Sequence, residues 1–293
     1  MGNTSYSFRN AAVSRSANNT STNSVEQNFK QAIEKKAHHS MNSKGITVRE
    51  SRDSQLHPNS FPFIVSLDLT GSMQDIPQNL ITTGLPKMIS SIIQGGVQSP
   101  SLLFLGIGDH EHDSYPLQVG QFESGDAELD LWLHRTYIEG GGGGNNGESY
   151  SLAHFFAARH TATDSWDKRK KKGVLITIGD EPNLNSYPSR IIKEIMGTSD
   201  AVGFTAVDML EEVKKTWEVY HINPRAEQQR NGWRDCKAYW DKFLGNGYIP
   251  CASYTEIPNI IAKLVVKHGI EEFVEGRDNS RDYPDDLLEE EIL

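Results

Sequence analysis

Three oxygen-bearing side chains, Asp68, Thr70 and Ser72, stand where an apolar run stops. A carboxylate and two hydroxyls at alternate positions can converge on one point, and Gly71 lets the chain turn tightly between them. Such donors suit a hard cation like Mg2+, which takes one or two carboxylates and keeps several waters. They equally suit a plain turn in which Asp68 caps the following helix. Asp109 and Asp180 also follow apolar runs. Asp109 opens the cluster Asp109-His110-Glu111-His112-Asp113. There, His-x-His with an aspartate could take a transition metal or give a hydrolase its general base. The alternative is a polar loop in which Asp109 hydrogen-bonds the Thr70 turn. Cys236 and Cys251 have no context that would activate a nucleophile.

The elements that must position these residues read as alternating strands and helices. Apolar runs over 61–68, 101–107, 115–122, 173–178, 217–222 and 248–252 predict strands. Helical spacing predicts helices over 76–94, 126–137, 148–161, 187–196, 208–215, 233–244 and 257–268. The order implies an α/β, doubly wound, mostly parallel sheet flanked by helices. In such sheets ligands bind outside the carboxyl ends of the strands, at the point where strand order reverses. Asp68, Asp109 and Asp180 all fall at predicted carboxyl ends. Five consecutive glycines, Gly140 to Gly144, lead through Asn145, Asn146 and Gly147 to Glu148 and Ser149. That run cannot form a helix or a stable strand, and no Gly-Lys-Ser/Thr follows as a P-loop requires. It predicts a loop that approaches a ligand at the same rim. Trp233, Tyr239, Trp240 and Phe243 predict a helix packed on the sheet, with an aromatic contact surface as the alternative.

Composition bounds the rest. A net charge of −10 excludes simple electrostatic attraction to nucleic acid or anionic membranes. Two cysteines make no disulfide scaffold. There is no run of membrane-spanning length and no apolar leader, and Tyr6 stands where a myristoylation motif wants Ser or Thr. A soluble, cytoplasmic protein is the expectation. Residues 1–56 are polar and predict a flexible arm with a short helix, residues 57–270 the folded domain, and residues 271–293 an acidic tail.

Asp68-Leu69-Thr70-Gly71-Ser72 resembles the Asp-x-Ser/Thr-x-Ser signature of von Willebrand factor A domains, where it opens a metal-ion-dependent adhesion site. The order of elements from about Phe61 to Gly269 is similar to that family. The stretches 116–123, 140–150 and 178–181 resemble its bacterial and phage branch. The resemblance implies that Asp180 supplies the third-loop acid. It also implies that Glu148 falls where the family has a second-loop threonine. A carboxylate there would over-neutralise a divalent ion, so that the metal holds the rim in shape rather than taking a partner's acid. The alternative for Glu148 is an acid at a helix N-terminus.

Together these readings predict a Mg2+ site, with Mn2+ or Ca2+ as substitutes, built by Asp68, Thr70, Ser72, Glu148 and Asp180. Asp109, His110, His112, Asn145, Asn146, Ser149 and Glu181 would be rim contacts, and no catalytic residue is assigned. The expected function is binding of another protein through the metal-shaped rim, with self-association left open. The alternative is a metal-dependent hydrolase using Asp109, His110 and His112 beside the ion.

Overall fold

The computed structural model describes residues 36–139, 145, 147–229 and 236–270. At its centre are three strands buried along their whole length: β2 (Phe61–Asp68), β3 (Pro100–Ile107) and β6 (Gly173–Ile178). Near-continuous apolar runs behave this way when a parallel sheet is covered on both faces. Val65, for example, pairs with Phe104 on one side and Ile176 on the other. With β4 (Leu117–Glu123), β9 (Trp217–Asn223) and β10 (Tyr248–Pro250) they form a six-stranded sheet in the order β10-β9-β6-β2-β3-β4. Only the β3–β4 pairing is antiparallel; the other four are parallel. Outside this sheet, β7 (Ser186–Tyr187) and β8 (Phe204–Thr205) make a short antiparallel pair.

Alternation along the strands divides the core into two layers. Phe63, Val65, Leu67, Val174, Ile176 and Ile178 face one layer. It contains residues of α1 (Ile76–Asn79), α2 (Leu85–Gln94), α3 (Asp126–His134) and the C-terminal helix Ile257–Ile270. A five-residue π turn, Leu80–Gly84, joins α1 to α2 within the predicted 76–94 helix. Ile64, Leu103, Leu105 and Leu175 face the other layer. There lie α4 (Ser151–Arg159), Ser189–Met196, Ala206–Val213 and Lys237–Phe243. The α/β, doubly wound expectation is borne out, and all six expected strands are present. Among the described residues, no helix is long and apolar enough to cross a membrane.

Two expectations need correction. The arm does not extend to residue 56: Met41 is fully buried, Ser43 Oγ donates to the Ile195 carbonyl at 2.7 Å, and β1 (Arg49–Ser51) pairs in parallel with β5 (Thr161–Thr163). Three-residue strands are too short to show a period, which hid this pair. Arg52 and Asp53 reinforce it through Asp164 and Arg169, at 2.9 and 2.7 Å. The predicted 148–161 helix starts later, at Ser151, because Glu148 pairs its backbone with the 182–184 segment. The Glu148 N–H donates to the Pro182 carbonyl and its own carbonyl accepts from Leu184 N–H, both at 2.9 Å. Glu148 thus lies two residues before the helix N-cap, Tyr150, and not in the first turn. The expectations for residues 1–35, Gly140 to Gly144, Asn146, Trp233 and the 271–293 tail lie outside the described residues.

Candidate functional site: an acidic rim at the switch point

Chain order runs from β2 to β3 on one side and returns to β6 on the other, so the sheet's switch point lies between β2 and β6. Asp68 ends β2, and Asp180 lies two residues past the end of β6. The crevice rule thus selects these two acids from the topology itself.

A chain of hydroxyls joins them. Asp68 Oδ1 accepts from Thr70 N–H at 2.9 Å and from Thr70 Oγ1 at 2.6 Å. Thr70 Oγ1 lies 3.3 Å from Ser72 Oγ, which donates to Asp180 Oδ1 at 2.7 Å. The Asp68 carboxylate organises its own turn through Thr70 and does not cap the following helix, whose N-cap is Asp75. The second Asp68 oxygen accepts from Tyr150 Oη at 2.9 Å. Gly179 makes that contact feasible: a Cβ there would run into the Tyr150 hydroxyl. Gly179→Ala should therefore push Tyr150 off Asp68 and destabilise the domain by about 1–3 kcal/mol, the usual cost of overpacking. Urea denaturation measures this, and an unchanged midpoint would show that Tyr150 is not wedged.

Asp68, Glu148 and Asp180 are 0%, 4% and 6% exposed. Burial, then the neighbouring Asp180 charge, raises the Asp68 carboxyl well above its ordinary range, against the pull of the Thr70 and Tyr150 hydrogen bonds. Glu148 is raised further, by burial first and then by Asp68, Asp113 and Asp109. Glu148 Oε2 and Asp109 Oδ2 are buried with no hydrogen-bond partner. Orphaned buried acceptors are costly, and a cation would satisfy them. The donors are all oxygen, which fits a hard cation of the Mg2+ class rather than a soft one. Among the described residues no group of three or more His, Cys, Asp or Glu side chains is placed to hold a metal ion.

The 109–113 loop behaves differently from either expectation. Asp109 is 1% exposed and serves its own loop: its N–H donates to Asp113 Oδ2 at 2.6 Å, and its Oδ1 accepts from Glu111 N–H at 2.8 Å. His110 turns inward. Its N–H and Nδ1 meet Ser149 Oγ at 2.9 and 2.8 Å, and its ring lies 4.8 Å from that of Tyr187. His112 turns outward, with Nε2 3.9 Å from Asp109 Oδ2. The two histidines and Asp109 do not form a metal-holding group. The Ser149–His110 pair has the reach of a nucleophile and base, but Ser149 is fully buried and offers a substrate no approach. Asn145 Nδ2 donates to Glu111 Oε2 at 2.9 Å. Glu181 is 4% exposed, so it is not a surface contact.

Several site residues were missed by sequence reasoning. Tyr150 is fully buried against Asp68. Asn183 Oδ1 accepts from Ser151 N–H at 3.0 Å and from Tyr187 Oη at 2.9 Å, anchoring the start of α4. Arg225 approaches Asp180 Oδ2 at 3.7 Å. Arg225 could have been found, because it follows the carboxyl end of β9 at the same rim. Trp240 packs the aromatic helix inward as expected: it is fully buried, its ring lies 3.5 Å from that of His221, and its Nε1 donates to the Glu181 carbonyl at 3.1 Å.

No family model matches this chain, and no curated protein does. Among solved structures, it is similar to the pilus adhesin SpaC from Lactobacillus rhamnosus GG in its open conformation, with 10% identity and a TM-score of 0.48. That alignment covers 75% of this chain and 31% of the adhesin. It is also similar to proximal thread matrix protein 1 from the mussel byssus, with 12% identity and a TM-score of 0.47 over 71% of this chain and 47% of that protein. The chain thus spans less than half the length of either structure.

Proposed function

We propose that this chain is a von Willebrand factor A-type interaction module. Its rim, which includes the Thr70 turn, Asn145 and the Asp180 loop, binds another protein, and a Mg2+-class cation holds the rim in shape. Asp68, Thr70, Ser72 and Asp180 would hold the ion, with Glu148 beside them, and Mn2+ or Ca2+ would substitute. When bound, the ion supplies positive charge to three buried carboxylates. The chain's own residues do the rest: Thr70 and Ser72 orient the acids, Tyr150 and Gly179 fix Asp68, and Asn145 bonds Glu111.

The observation that carries this reading is the linked Asp68–Thr70–Ser72–Asp180 chain at the sheet's switch point. Glu148, buried beside it, supports a shaping metal over one that offers a vacant position to a partner's acid. The buried Ser149 and the diverging histidines favour binding over hydrolysis. An affinity pull-down from host lysate tests it, using wild type and Asp68→Ala/Asp180→Ala, each with Mg2+ and with chelator. The expected result is a partner retained by wild type in Mg2+ and lost in the other three conditions. Equal capture in all four would move the interface away from this rim.

A further inference from the structure

Arg225 lies two residues beyond β9, at the same rim as the acids. Its side chain is directed by its neighbours: its N–H donates to Asn223 Oδ1 at 2.9 Å and its Nε to Gln228 Oε1 at 2.7 Å. Nη1 then donates to the Ser72 carbonyl and stands 3.7 Å from Asp180 Oδ2. The other Asp180 oxygen accepts from Ser72 Oγ. One guanidinium therefore spans two of the four oxygen-donor residues. The same segment holds Asp180 a second way, since Gln229 Nε2 donates to the Asp180 carbonyl while Gln229 Oε1 accepts from Asn223 Nδ2.

We propose that Arg225 is an exchangeable internal counter-ion: it holds Asp180 while no divalent cation is present and must leave Asp180 for one to bind. This rests on the metal reading above and adds a regulator to it. The physics is direct. A guanidinium is charged at every working pH and cannot give up its proton to make room. A divalent ion on Asp180 would sit within a few ångströms of that charge, in surroundings where charges are weakly screened. The Arg225 side chain is 22% exposed, so it has a path to water. Because Gln229 and Asn223 are bound to the same segment, metal entry and the position of residues 223–229 are coupled.

Calorimetric titration with MgCl2 of wild type, Arg225→Gln and Arg225→Lys tests this, together with hydrogen exchange of residues 223–229 in wild type. Arg225→Gln should bind Mg2+ about tenfold more tightly, a change of about 1.4 kcal/mol. Arg225→Lys should stay within a factor of about three of wild type, a difference worth about 0.6 kcal/mol. Mg2+ should speed exchange in 223–229 of the wild-type protein. Equal affinities in all three proteins, or Mg2+ binding with unchanged exchange in 223–229, would overturn the counter-ion role and leave the metal reading standing. No binding by any of the three would overturn the metal reading and the exchange with it.

Discussion

Saturating Mg2+ should raise the melting temperature of the wild-type protein by roughly 5–10 °C over the chelated protein, and Asp68→Asn should abolish that rise. A ligand at about 100 times its Kd adds roughly 2.7 kcal/mol to the folded state. For a domain of this size each kcal/mol is worth about 2–4 °C. Asp68→Asn keeps an acceptor for the Thr70 N–H and hydroxyl while removing the charge that Asp180 and burial oppose. In chelator the variant should therefore melt no lower than wild type, because a buried carboxylate without a counter-charge costs the folded state. The opposite signs in the two conditions separate a metal ligand from a residue that merely supports the turn. A variant that retains the full Mg2+ response would remove Asp68 from the site.

The second large effect concerns acid stability and His154. This histidine is fully buried, its ring lies 6.4 Å from that of Phe243, and its Nε2 has no hydrogen-bond partner. Burial, followed by the Lys214 charge, pushes its pKa down to about 3. The unfolded chain would bind a proton near 6.5, the ordinary histidine value, while the folded chain does not. Stability from the neutral ring is fully present above pH 6.5 and is lost as pH falls from there toward 3. The loss should amount to several kcal/mol across that window, since each tenfold change in proton affinity is worth about 1.4 kcal/mol. His154→Phe keeps the packing against Phe243 and removes the titration. Measured in chelator by urea denaturation at pH 7 and pH 4.5, wild type should lose clearly more stability than His154→Phe. The raised carboxyls of Asp68 and Glu148 act with the opposite sign and are common to both proteins, so they cancel in the difference. Equal losses in the two proteins would show that His154 is accommodated charged. Asp164 adds a separate, more acidic step: burial raises its carboxyl, but Lys168, the Asp53 amide and Arg52 outweigh that and hold it at about 2.

Much of the fold was legible in the order of residues. Short, β-branched apolar runs such as 173–178 read as buried strands, and their alternation with amphipathic segments points to a covered, mostly parallel sheet. The rim acids were legible for the same reason: a strand that ends in Asp delivers it to the carboxyl edge, where such sheets leave their crevice. The Asp68, Thr70 and Ser72 spacing likewise suggested side chains converging on one point, and Thr70 Oγ1 does stand between Asp68 and Ser72.

Tertiary structure alone decided which of these residues share an environment. Asp109 and Asp180 look alike in sequence, and β3 and β6 both flank β2, yet Asp109 bonds within its own 109–113 loop through its N–H and Oδ1 while Asp180 meets Ser72. His110 and His112, one residue apart, part because one reaches Ser149 and the other faces solvent. Tyr150 meets Asp68 only because Gly179, on another strand's end, leaves room for its ring. Arg225 finds Ser72 across 153 residues of chain. Local composition sets what a segment can form and which edge it ends on. Strand order and close packing, which depend on every other segment at once, set which charges meet.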